Sequence, residues 1–364
     1  MTRQPSPAGA SDRHLDQGAS GDGAKRGLKV TRAQVLAFRR RAAGLDERLP
    51  PGPDSLRAAA WAGLQDSMPR AALLSMHARV EGIEPGSWED PSLVQLWGPR
   101  FNAYVVAERD RAVFTLGRLT DDPAARCDAE QLADRLEVFL DGRRMTRGEV
   151  ARGLGMHHPN TLLRAAPTGR VLMRWDGARR PTIWTVPPPA VDPADARLEL
   201  VRRYLHVFGP ATAEGFAEWA GIAPARGRAT FDGLAGALTP VRTPVGDAWI
   251  LTEDEEAFRT SVGADVASAR LLPSGDTLCL LRGADRELLV PDPDRRRELW
   301  TPRVWPGAVL VKGEVAGTWR RAGAVVTIQT WRRLSPAASE AVELEAKSFP
   351  LPDVHGRISV RWQT

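Results

Sequence analysis

Cysteine, lysine and long apolar runs are all scarce in this chain, and each shortage removes a class of protein. Two cysteines, Cys127 and Cys279, stand far apart in 364 residues. That is too few for a disulfide framework or a cysteine zinc site, and it agrees with a reducing compartment. The six histidines include one adjacent pair, His157 and His158, with no carboxylate or cysteine around them at metal-ligand spacing, so neither a metal nor another cofactor is expected. No apolar stretch reaches the roughly 20 residues that span a bilayer, and the N-terminus lacks the apolar region of a secretory signal. A cytoplasmic chain without membrane contact is the expectation. Only four lysines stand within a combined lysine-plus-arginine count of 50.

What is present begins with arginine. The net charge is +5 and the isoelectric point about 9.7, and nearly all of the base is guanidinium. Arginine grips phosphate in a fork and stacks on nucleobases, which suits a polyanionic partner. A GC-rich genome inflates arginine and alanine as well, so the charge permits such a partner without requiring it. The 43% apolar content and the length allow two to four domains with real cores.

Residues 1–27 are rich in Ser, Gly, Pro and Asp and nearly free of apolar side chains, so they are expected to form a disordered tail outside the fold. Order is expected from Thr31, where Thr31-Arg32-Ala33-Gln34 has the capping-box pattern and Val35, Leu36 and Phe38 begin an amphipathic helix. Helices at Asp54–Leu64 and Pro69–Val80 and a strand over Asn102–Ala107 complete a first unit. The pattern repeats. Helices at 131–140, 147–154 (opened by the capping box Thr146-Arg147-Gly148-Glu149) and 159–166 precede strands at 170–175 and 181–186, joined through the hairpin signal Asp176-Gly177. After the proline-rich linker 187–193 come helices at 194–208, 212–220 and 225–237, then strands around Val241 and 249–252. In this third unit the helix after Gly221 would be the recognition helix if the domain touches DNA as other helix-turn-helix modules do. Beyond it, strands are expected at 278–281, 288–290, 308–311, 315–320 and 325–331, and a helix at 336–347 closes the chain. The fold class is therefore α+β: three tandem winged-helix domains (28–120, 121–190 and 191–260) followed by a small β-rich C-terminal region (261–364).

The stretch Trp61–Leu74 reads as a helix end, a polar corner and a new helix, since Pro69 suits a first helical turn and disfavours helix in the residue before it. Gln65, Asp66 and Ser67 occupy that corner between apolar segments, as groups held rigidly for chemistry do. The plainer alternative is that Asp66 or Ser67 only caps the helix that follows.

This corner, Leu64-Gln65-Asp66-Ser67-Met68-Pro69-Arg70-Ala71-Ala72-Leu73, resembles the AlkZ/YcaQ family of bacterial DNA glycosylases. Further echoes are Leu96-Trp97-Gly98-Pro99-Arg100, Arg203-Tyr204-Leu205, Phe208-Gly209-Pro210-Ala211-Thr212, Leu271-Leu272-Pro273 with Asp276, and Gly313–Arg321. The likeness covers about residues 28–347. It implies hydrolysis of the N-glycosidic bond of bulky N7-alkylated purines, crosslinks and antibiotic adducts included, through a Gln-x-Gln or Gln-x-Asp motif. Here the triplet is Gln65-Asp66-Ser67, with serine third and a carboxylate in the middle. That variant is similar to an actinobacterial branch of self-resistance glycosylases acting on adducts of intercalating alkylators such as hedamycin or trioxacarcin. Where many relatives carry Arg-Gly-Thr-x-His, this chain has Arg100-Phe101-Asn102-Ala103-Tyr104.

Alkylation at N7 makes guanine a cationic base that departs readily, so the protein must chiefly place water at C1′ and negative charge near the developing oxocarbenium. A carboxylate can accept the water's proton, whereas a glutamine can only orient it. Asp66 is the candidate general base and electrostatic stabiliser, Gln65 positions water or phosphodiester, and Ser67 assists. With no lysine near Gln65 in sequence, a monofunctional enzyme is expected. DNA contacts are expected from Arg70, Arg100, Asn102 and Tyr104 beside the corner, from Arg174, Arg179 and Arg180 at the second wing, and from Arg320 and Arg321 at a later turn; solvated surface charge is the plain alternative for each arginine. Most tryptophans, such as Trp61, Trp97, Trp219 and Trp249, stand in apolar patterns and are read as core. The expected partner is double-stranded DNA carrying an alkylated purine, bound by a monomer. Rival readings are a non-catalytic winged-helix transcriptional regulator and a protein-interaction scaffold.

Overall fold

A computed structural model of the chain describes residues 28–177, 180–260, 269–352, 354 and 356–363. The tail 1–27 and Arg179 lie outside them. Strand β1 (Leu28–Lys29) leads into α1 (Arg32–Ala42), whose start carries the full Thr31–Gln34 capping box. Then come α2 (Pro53–Ala59), β2 (Leu64–Gln65), α3 (Ala71–His77), β3 (Leu93–Trp97) and β4 (Ala103–Ala107). The last three strands form an antiparallel sheet in the order β2-β4-β3.

Past the short α4 (Arg111–Thr115), the long α5 (Pro123–Leu140) starts on the side chain of Asp122. Next are β5 (Met145–Thr146), α6 (Arg147–Gly153) with its capping box, a 3-10 run Pro159–Thr168, β6 (Val171–Arg174) and β7 (Thr182–Thr185), giving a sheet in the order β5-β7-β6. A third set comprises α7 (Pro193–Phe208), α8 (Ala213–Ala220), α9 (Pro224–Asp232), β8 (Leu238–Thr243) and β9 (Gly246–Leu251). Its sheet is completed by β1, which pairs parallel with β8 from the far end of the described chain. Regular structure is thus already present at Leu28, ahead of Thr31, because Leu28 and Val30 pack with Val241 and Ile250.

The remaining residues form α10 (Glu255–Thr260), β10 (Ala269–Leu272), α11 (Asp285–Leu289), α12 (Pro293–Leu299), β11 (Gly307–Val311), β12 (Glu314–Ala322), β13 (Val325–Thr330), α13 (Pro336–Lys347) and β14 (Ser359–Gln363). Their five strands make one sheet in sequence order. Two expected strands are absent from it. Of residues 278–281 the first two lie in the 3-10 turn Thr277–Cys279, where the Asp276 carboxylate accepts the Leu278 amide, and the other two follow it without regular structure; 288 and 289 end α11. Short apolar runs do not distinguish a strand from a buried helical turn, and both runs are buried here. Nor does α13 close the chain, since β14 returns to pair parallel with β13.

The sheets share a core. Leu36 and Phe114, Leu172, Leu200 and Phe208, and Leu278 and Trp300 belong to one buried cluster, so hydrophobic burial binds the successive sets together. A buried ion pair fixes α3 within this packing: Arg79 Nη1 and Nη2 meet Asp276 Oδ2 and Oδ1 at 2.7 and 3.0 Å, and Ser75 Oγ donates to Oδ2 at 2.7 Å. Both residues lie on or just after α3, so the helix that follows the polar corner is held from the C-terminal region.

Candidate active site

The corner is a strand edge rather than a helix end. Helix α2 stops at Ala59, and Gly63 turns the chain into the sheet at φ +76, where a Cβ would fall 2.7 Å from the Phe114 ring. Gln65 then pairs with Tyr104, and the Asp66 amide donates to Ala103 O at 2.7 Å. Helix α3 begins at Ala71, not Pro69, because Arg70 adopts the left-handed conformation at φ 66.

In an extended segment successive side chains leave on opposite sides. Gln65 is half-buried: the Tyr104 hydroxyl lies 3.5 Å from its Oε1, and the turn at Gly275 abuts its amide. Asp66 turns inward and is 4% exposed. Its Oδ1 accepts the Ala72 amide at 3.0 Å and its Oδ2 accepts Gln95 Nε2 at 2.6 Å. Asp66 thus does satisfy an open amide in the first turn of α3, as the capping alternative holds. Burial pushes its pKa up to about 6, against the lowering pull of the Ala72 amide, Arg70, Gln95 and Arg174. At neutral pH the carboxyl is mostly ionised. Ser67 Oγ is buried and makes no hydrogen bond among the described residues.

Arg70 and Arg174 converge on one aromatic ring. Their guanidiniums lie 5.0 and 3.8 Å from the Trp88 centroid, and Arg174 pairs with Glu89 at 2.6 Å. The hairpin that carries Arg174 rests on the corner, since a Cβ on Gly177 would sit 2.8 Å from Pro69 Cβ. Arg100 is exposed in a left-handed turn against Gly221, and Asn102 is partly buried beside it.

Tyr104 departs from expectation. It is 1% exposed, walled in near Gly63 and Gly98, and its phenol is held above its ordinary pKa by burial. In this arrangement it backs Gln65 and has no surface to offer DNA. Arg180 is exposed. Arg320 and Arg321 sit at the end of β12 on the five-stranded sheet, donating to Val304 O at 3.2 Å and Gly323 O at 2.8 Å. They belong to another sheet than Gln65 and Asp66. Sequence reasoning missed Gln95, Trp88 and Glu89. A signal for Gln95 was available, as the lone polar residue in the apolar run Leu93-Val94-Gln95-Leu96-Trp97.

The fold gives the class first. The structure is similar to Streptomyces sahachiroi DNA glycosylase AlkZ at a TM-score of 0.74 and 20% identity, covering 92% of this chain and 100% of that one, so the mixed α+β architecture is that of the AlkZ glycosylases. Residues 58–349 match the family model described as DNA glycosylase AlkZ-like, and the chain belongs to that family. It is also 27% identical over 174 residues to an interstrand DNA cross-link repair glycosylase of Streptomyces sahachiroi. That match takes in 47% of this chain and 46% of the relative, so the chain spans about half the length of the curated relative it matches.

Proposed function

We propose that this protein is a monofunctional DNA glycosylase. It hydrolyses the N-glycosidic bond of bulky N7-alkylguanine in duplex DNA, acts as a monomer without metal or cofactor, and protects its cell against a DNA-alkylating natural product through base excision repair. The three helix-and-sheet sets are read as winged helices over 28–120, 121–190 and 191–260, with 261–364 as a β-rich C-terminal region. The observation that carries the reading is a half-exposed glutamine on a strand edge, followed at once by a carboxylate buried on the opposite side of the segment.

As the bond between C1′ and N9 breaks, its electron pair leaves with the cationic purine and neutralises it, while positive charge builds on the sugar. Gln65 orients the incoming water by hydrogen bonding. Asp66 acts through its charge in a low-dielectric setting, and its burial favours this electrostatic role over direct proton abstraction. Water then adds to C1′ and releases its proton to solvent. Arg70, Arg100, Arg174, Arg180, Arg320 and Arg321, with Asn102, are proposed to hold the phosphate backbone. Arg179 is part of the same set, outside the described residues.

The test is to incubate the protein with duplex DNA carrying a defined N7-alkylguanine. Free modified base and alkali-labile abasic sites are expected, without trapping by borohydride. A second reading, a non-catalytic winged-helix DNA binder, is favoured by the bond between Asp66 and the Ala72 amide. Tight binding with no base released would select it.

A further inference from the structure

Gln95 makes more of its amide than any capping or packing role requires. It is 3% exposed. Its Nε2 donates to Asp66 Oδ2 at 2.6 Å and to Trp175 O at 3.3 Å, while its Oε1 accepts the Trp175 amide at 2.6 Å. Two donor hydrogens and an acceptor are thereby all engaged, and the Trp175 N–H fixes which end of the amide is oxygen. A flipped amide would set oxygen against carboxylate and nitrogen against N–H.

The consequence is a continuous chain of contacts between two sheets. Asp66 is pinned at one oxygen by Ala72 of α3 and at the other by Gln95 of β3. Gln95 in turn grips the backbone of Trp175, the residue after β6 ends at Arg174. Arg174 carries the guanidinium that stacks on Trp88 and pairs with Glu89. Any displacement of this hairpin by DNA therefore pulls on the amide that orients the carboxyl.

We infer that Gln95 is a positioning residue, which locks the Asp66 carboxyl to the hairpin strand of the second sheet so that the hairpin's seat on DNA sets the orientation of that carboxyl. This rests on the proposed part of Asp66 in base excision. The groups facing the carboxyl are the Ala72 amide, the Gln95 amide and the charges of Arg70 and Arg174. Removing the Gln95 donor weakens the hold on the ionised form, so protonation must occur at higher pH.

The test uses the full chain with Gln95→Leu and Gln95→Glu, assayed on duplex DNA bearing N7-alkylguanine. Both variants are expected to bind this DNA within a few-fold of wild type. Single-turnover excision should fall on the order of tenfold to a hundredfold, the range for losing a hydrogen bond to a charged group. The acid limb of the pH–rate profile should move to higher pH, further in Gln95→Glu, where a second carboxyl faces Asp66. An unchanged rate and profile in either folded variant overturns the inference, as does weaker binding with an unchanged single-turnover rate. Should Gln95→Leu fail to fold, the isosteric Gln95→Glu decides. Full activity in Asp66→Asn would sink the reading of Asp66 itself, whereas an inactive Asp66→Asn beside an unaltered Gln95→Glu sinks only the part given to Gln95.

Discussion

Gln65 and Asp66 are consecutive residues whose side chains share no hydrogen-bond partner among the described residues. The Gln65 amide meets the Tyr104 hydroxyl and the Gly275 turn, whereas the Asp66 carboxyl lies between the Ala72 amide and Gln95 on the other side of the segment. A tight pair of catalytic groups aimed at one atom would need both side chains on one face. Here the two face apart, so their contributions to stability and to excision separate by mutation.

For Asp66 the sign of the pH dependence is set by its raised pKa. The unfolded chain loses this proton near the ordinary 3.8, while the folded chain keeps it to about 6. Its ionisation therefore costs nothing below pH 3.8, costs progressively more up to pH 6, and reaches a plateau above it of about 3 kcal/mol. Asp66→Asn removes this titration. In urea unfolding at pH 3.5, 5 and 7, the stability of the variant relative to wild type should improve with rising pH and level off beyond 6. A difference that is flat across the three would show that the carboxyl titrates normally. Excision by the same variant is expected to be lost at every pH.

Gln65→Ala should also impair excision but, unlike Asp66→Asn, leave stability nearly unchanged at every pH. The side chain is half-buried, and its nearest polar contact, at 3.5 Å, is marginal as a hydrogen bond. Its removal is expected to change stability by no more than about 0.5 kcal/mol. Excision in single turnover should drop on the order of a hundredfold if water placement depends on this amide. Thermal unfolding and base release measured on one preparation check both halves; equal base release by variant and wild type removes Gln65 from the chemistry.

How much of this was legible in the sequence follows the range of the forces involved. The capping boxes at Thr31 and Thr146 and the limits of α13 were read correctly, because caps and prolines act over three or four residues. The strand character of Gln65 was not, since it depends on β4, some 39 residues away. Gln95 takes its meaning from Trp175, 80 residues further on, and nothing local marks that meeting. The 3-10 turn at Thr277–Cys279 likewise hinges on Asp276, whose partner Arg79 lies just after α3. The corner itself was found by its residue types, and the direction of each side chain needed the sheet.

Glu89 offers a test of whether the second hairpin meets phosphate. Its pair with Arg174 is half open to solvent and worth at most about 1 kcal/mol, so a DNA phosphate can displace it. Glu89→Gln leaves Arg174 without that competitor. Anisotropy titrations with duplex DNA should show binding a few-fold tighter at low salt, with the gain shrinking as salt rises. In an Arg174→Gln background the Glu89 substitution should bring no gain. A gain of the same size in both backgrounds would mean that Glu89 acts only through net charge and that Arg174 does not touch DNA.

Asp276 should matter to stability far more than any surface acid. Its carboxylate, fully enclosed, holds the Arg79 guanidinium through two bonds and also receives Ser75 and the Leu278 amide. Asp276→Asn would leave Arg79 buried without an opposite charge, a change that costs about 3–5 kcal/mol. Combining Asp276→Asn with Arg79→Leu removes the stranded charge, so this double variant is expected to lose less stability than the two single losses added together. Denaturant midpoints for the three variants measure this coupling. Since Ser75 and Arg79 fix α3, and Ala72 of α3 holds Asp66, the Asn variant should also lose excision before it unfolds. Additive losses in the double variant would show instead that the two side chains stabilise the fold independently.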